Sequence, residues 1–229
     1  MCYNYRTSLI SFSLGLVSVI FAFKTRQYII GTLILFYCQM QLSEAIIWKG
    51  IDDDNTSLNE KGTSYGKYLL ATHNIAIGIG ILLVVVFLNK RKLKLLDFTP
   101  LAIGIIFFLV IFSFVYSKKS YENTTYPLDR TCKTKSCQNN GNRLLWPYPH
   151  DWYVYSFLIS LILLVIFIKP MRSKYFLGLI FTITFILTNL IQPRTVGSVW
   201  CFAAAILAPV IVGINYYITK NIPSSELMT

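Results

Sequence analysis

The chain has 229 residues, 55% of them hydrophobic and 15% aromatic, with a mean hydropathy of +0.55 and a formal net charge of +11. A soluble domain of this size would struggle to keep so much apolar side chain off its surface, so the composition excludes an ordinary soluble protein and points to lipid. The basic residues stand in short clusters between apolar stretches, which is the pattern of membrane flanks and not of a nucleic-acid-binding face.

About 20 predominantly apolar residues cross a bilayer as a helix. Seven stretches of that kind are expected, at about 7–23, 28–48, 68–88, 98–116, 152–168, 175–192 and 198–218. The first lacks a convincing cleavage site and reads as a retained helix, not a signal peptide. The expected fold is therefore all-α: one integral membrane domain over residues 1–229 with seven transmembrane helices, and one long connection at 117–151.

Seven spans put the loops after the first, third and fifth helices on the same side as the carboxyl tail. Those short loops hold Lys24 and Arg26, then Lys90, Arg91, Lys92 and Lys94, then Lys169, Arg172 and Lys174, with Lys220 in the tail. Dense clusters in short loops favour the cytoplasm. The 117–151 loop also carries six basic residues, so charge alone does not orient the chain. Asn55-Thr56-Ser57 and Asn123-Thr124-Thr125 fit the N-glycosylation pattern on the opposite side. Cys132 and Cys137 fall there too, either as a small disulfide ring or as two free thiols. The expectation is amino terminus out and carboxyl terminus in.

"RQYIIG" (Arg26 to Gly31) and "SKYFLG" (Ser173 to Gly178) each open a helix after a basic loop. The first three helices could thus be a parallel repeat of the last three, with the fourth as linker, or the two motifs could match by chance. Small residues mark helix contacts in lipid. Ser11, Gly15, Ser18 and Ala22 form one such stripe, and His73, Ala76 and Gly80 another.

Tyr37, Gln41, Glu44 and Trp48 are spaced four, three and four apart and share one face of the second helix. A glutamate in hydrocarbon is expensive, so this face should point into the bundle. His73 and Asn74 fall at a similar depth on the third helix, Asn189 and Gln192 near the outer end of the sixth, and Trp200 at the start of the seventh. Ile75 to Leu88 and Cys201 to Ile214 hold no charged or strongly polar side chain, so the polar groups are expected to collect in the outer third. The candidate site is an outward-facing pocket of Gln41, Glu44, His73, Asn74, Asn189 and Gln192, with Trp48, Trp152 and Trp200 as walls. Each residue has a plainer reading: Glu44 and His73 as interhelical glue, the amides as interhelical hydrogen-bonders or caps, and the tryptophans as interfacial anchors.

Other chemistry lacks its residues. Two histidines, His73 and His150, do not make a catalytic zinc site. There is no Gly-x-Ser-x-Gly elbow and no phosphate-cradling glycine loop, and Cys38 and Cys201 sit in apolar surroundings that favour inert thiols. The last helix carries no membrane-embedded lysine for a retinal Schiff base. Neither an enzyme nor an opsin is expected, and no cofactor or metal.

"QMQLSEAIIW" (Gln39 to Trp48), together with "GSVWCF" (Gly197 to Phe202), resembles a family of uncharacterised seven-helix membrane proteins of large DNA viruses of protists. The resemblance implies a virus-encoded protein of a host-cell or virion membrane, and it brings no activity or ligand with it. The functional expectation is receptor-like binding of a small polar or cationic ligand. Glu44 would supply charge, His73 and Asn74 hydrogen bonds, and Trp200 a stacking face. A small-solute or proton-coupled transporter using the same pocket is the alternative, and a structural membrane protein without ligand is the third reading.

Overall fold

Asn4 starts the first helix, its Oδ1 accepting from Thr7 N at 2.9 Å and so satisfying one of the donors that a helix start leaves open. Helix α1 (Tyr5–Lys24) then turns sharply into α2 (Tyr28–Asp52). The turn passes through Arg26, held in the left-handed region at φ 61°. Asp54, at φ 51°, makes the next reversal, and Asn55 caps α3 (Thr56–Leu83) by accepting from Leu58 N at 3.0 Å. A π-helical turn (Val84–Leu88) prolongs α3, and a 3₁₀ turn (Leu95–Phe98) leads into α4 (Thr99–Ser117). A two-residue antiparallel ladder follows, β1 (Tyr126–Pro127) on β2 (Leu144–Leu145), with Tyr126 opposite Leu145. The chain closes with α5 (Met171–Ile191) and α6 (Val196–Thr219). This computed structural model describes residues 4–88, 92–117, 124–127, 144–146, 155, 158–160, 162–163, 166, 171–191 and 196–221.

The chain is thus largely helical. Among the described residues three helices are long and apolar enough to cross a membrane, Tyr5–Lys24, Tyr28–Asp52 and Phe202–Thr219. A fourth joins them if the two arms of the third helix, Thr56–Leu69 and Thr72–Leu88, bent by 53°, form one span. Helical backbone also covers the other apolar stretches, at α4, at the described residues between 155 and 166, and at α5.

The third helix begins about three turns before its apolar stretch, at Thr56 and not near residue 68. Its polar first turns are held by α2, which runs antiparallel beside it. Ser43 Oγ donates to Gly62 O at 2.7 Å, and Tyr65 OH donates to Gln39 Oε1 at 2.8 Å. Gly50 and Gly62 let the two backbones approach: a Cβ on Gly50 would stand 2.6 Å from Asn59 N. Tertiary contact, not hydrophobic periodicity, makes this segment a helix.

Helix α2 is the centre of the bundle, packing against α1, α3 and α6. The buried face of α1 is mostly small, Ser8, Ser11, Gly15, Ser18 and Ala22 with Val19 beside them, and Gly15 sits on Cys38. Its opposite side exposes Ile10, Val17 and Ile20, a face suited to lipid.

A polar cluster joins three helix ends at the α1–α2 turn. Gln27 Nε2 donates to Thr25 Oγ1 at 2.8 Å and to Val212 O at 3.2 Å; Asn215 Nδ2 donates to Gln27 Oε1 at 2.7 Å; and Ser173 Oγ donates to Asn215 Oδ1 at 2.6 Å. Gln27, Ser173 and Asn215 are all buried. Polar groups therefore do not collect in one third of the bundle. This second set lies at the opposite end, just beyond the aliphatic stretch that stops at Ile214.

Candidate functional site

The four polar-face residues of α2 are interior. Tyr37 and Trp48 are each 4% exposed, and Gln41 and Glu44 are fully buried. Gln41 Nε2 donates to Glu44 Oε2 at 3.1 Å, a bond one turn apart on the same helix. A carboxyl group is thus held inside the bundle with an amide donor on it.

Helix α3 brings His73 and Asn74 to the same core. The His73 ring faces Tyr37 at a centroid distance of 4.6 Å, and Tyr37 in turn meets Phe181 of α5 at 6.2 Å. Tyr37 precedes Glu44 by two helical turns, about 10 Å along the axis. The level of His73 therefore differs from that of Glu44. Asn74 is fully buried, its Oδ1 accepting from Ser160 Oγ at 2.7 Å. Its backbone packs against Gly104 of α4, where a Cβ would come within 2.8 Å of Asn74 O.

The bend in α3 lies immediately before these two residues, and Thr72 Oγ1 donates back to Leu69 O at 2.9 Å. Such back-bonding bends helices. The geometry thus sets His73 and Asn74 on the first turn after a break.

Hydrogen-bond satisfaction separates this region from the cluster at the other end. Among the described residues, His73 Nε2, Asn74 Nδ2 and Trp48 Nε1 are buried with no partner. The linked Gln27, Asn215 and Ser173 side chains have none of their polar atoms among these. Leaving a buried donor unmet costs about 1–3 kcal/mol, so native proteins usually supply a partner, water or a ligand. The arrangement can offer the Asn74 amide as a donor, and the His73 nitrogen as donor or acceptor, to a polar molecule beside aromatic rings and within two turns of a carboxyl.

Asn55 is exposed and caps α3. Asn189 stands in α5 and Trp200 in α6, but their side chains lie outside the described residues, as do Gln192, Trp152, Asn123, Cys132 and Cys137. Ser160 and Phe181 belong to the site and escape sequence reading, because a lone serine or phenylalanine in an apolar helix carries no signal of its facing. No group of three metal-ligating side chains converges among the described residues. No family model, curated protein or solved structure matches the chain.

Proposed function

We propose that the chain is a multi-pass integral membrane protein, with seven spans and the amino terminus outside, that binds a small polar ligand within its bundle. The observation that carries this reading is the pair of buried side-chain nitrogens without protein partners among the described residues, His73 Nε2 and Asn74 Nδ2, on adjacent residues of one helix. Tyr37 and Phe181 give a ligand there aromatic walls, and a ligand extending about two helical turns along α2 would reach the Glu44 carboxyl. Receptor-like recognition needs no more than this.

A transporter is the second reading, favoured by the 53° bend of α3 beside the site. Broken helices at polar sites are the usual construction of carriers, because a discontinuous helix both exposes backbone groups and gives a place to hinge.

The test is a thermal-stability screen of the detergent-purified chain against small polar metabolites across pH, run beside Glu44→Gln and Asn74→Leu. A ligand at a hundredfold excess over its Kd stabilises the folded state by about 2.7 kcal/mol. A hit abolished in both variants supports the site, and uptake of that hit into vesicles selects the transporter. If no metabolite shifts the unfolding temperature and the variants keep the wild-type pH profile, the polar groups are interhelical glue.

A further inference from the structure

Five segments converge at the end of the bundle that holds the Gln27 cluster. Phe21 of α1 meets Tyr216 of α6 at 6.0 Å, Tyr28 of α2 meets Phe87 beyond α3 at 5.7 Å, and Ser173 of α5 reaches Asn215. The tips beyond these contacts are cationic: Lys24, Arg26, Lys92, Lys94, Arg172 and Lys220 are all exposed. Against them stands Asp97 alone among the described acidic residues, and its carboxylate accepts from Lys94 N at 2.7 Å. The other described surface carboxylates, Asp52, Asp53, Asp54 and Glu60, sit at the opposite end.

This end also marks a membrane boundary. Tyr175, Tyr216 and Tyr217 are exposed there at 68%, 41% and 70%, and Lys220 Nζ lies 4.5 Å over the Tyr217 ring. Exposed tyrosines at helix ends beside lysines are the signature of the headgroup level. At that level the link from α3 to α4 turns its apolar side chains outward. Leu95 is 89% exposed and Leu96 80%, flanked by Leu93 and Phe98 at 42% and 40%. Water would penalise such a loop, whereas the acyl boundary of a leaflet would take the leucines while the neighbouring lysines stay at the phosphates.

We infer that residues 92–98 form an interfacial wedge that seats this end of the bundle on anionic phospholipid, with Leu95 and Leu96 in the acyl boundary and Lys92 and Lys94 at the headgroups. The occupant is an anionic leaflet because exposed cations from four helix ends crowd this level, where Asp97 is the one carboxylate among the described residues. The inference stands apart from the ligand site, which is on other residues.

The test uses the full chain purified in mild detergent, with phosphatidylglycerol or phosphatidylcholine added and lipid retention followed by native mass spectrometry. Phosphatidylglycerol should be retained preferentially and less so at high salt, and Lys92→Gln/Lys94→Gln should weaken its retention on the order of tenfold. Leu95→Ser/Leu96→Ser should shorten retention too, while Lys61→Gln at the opposite end should change nothing. Equal retention of the two lipids by the wild type would overturn the inference. So would an unchanged preference in the double lysine variant, or inorganic phosphate displacing the lipid at equal concentration, which would indicate a simple anion site.

Discussion

The Asn59 carboxamide closes both hydrogen bonds to the backbone of Thr125, 66 residues away: Nδ2 donates to Thr125 O at 2.8 Å, and Thr125 N donates to Oδ1 at 2.9 Å. Thr63 Oγ1 adds a bond to Thr125 Oγ1 at 2.8 Å, and the Trp146 ring, on the strand partner's side of the ladder, lies over Gly66. Thr125 and Trp146, the described contacts of the 117–151 connection, are thereby fixed to the first turns of α3. Asn59→Leu should lower unfolding stability by about 2–4 kcal/mol, since it leaves a buried backbone N–H and C=O unmet. Thermal unfolding in detergent checks this, and limited proteolysis should show earlier cleavage within 117–151. An unaltered cleavage pattern would mean the clamp does not hold the loop.

Close backbone approach makes a matched pair of glycine tests. Gly50→Ala would force a Cβ to 2.6 Å from Asn59 N, a backbone atom that cannot step aside, and should cost about 1–3 kcal/mol. Gly213→Ala meets nothing within 4 Å and should be neutral or stabilising by up to about 1 kcal/mol through helix propensity. Chemical unfolding curves of the two variants should therefore move in opposite directions or differ in size by more than their error.

The cluster of Gln27, Asn215 and Ser173 should behave as one unit. Asn215→Leu breaks two side-chain bonds and should cost about 1–3 kcal/mol, with Gln27→Leu costing a similar amount. In a double-mutant cycle the combined loss should fall short of the sum, because both changes break the bond between them. Strict additivity would show that Gln27 and Asn215 do not act as a coupled pair.

Replacing His73 with phenylalanine separates binding from folding. His73→Phe keeps a ring against Tyr37 and removes a buried nitrogen that lacks a partner among the described residues. The ligand-free protein should become more stable by about 1–3 kcal/mol while any ligand-induced stabilisation disappears, a trade expected of a functional site. A less stable variant would show that the nitrogen already has a partner.

Much of the architecture was legible in the chain itself, because the cost of placing backbone and charge in lipid leaves only helices of sufficient apolar length. That constraint located the helical stretches, and the four-three-four spacing placed Tyr37, Gln41, Glu44 and Trp48 inward before any partner was known. Three-dimensional packing decided the rest. Residues 56–67 are polar and aperiodic, and become helix only through the glycine-mediated contact with α2. Gln27, Ser173 and Asn215 are separated by more than 40 residues at each step and look like unremarkable end-of-helix amides and hydroxyls until the fold joins them. The depth of His73 relative to Glu44 was likewise fixed by interhelical register, for helical phase gives the facing of a residue but not the height at which a neighbouring helix passes it.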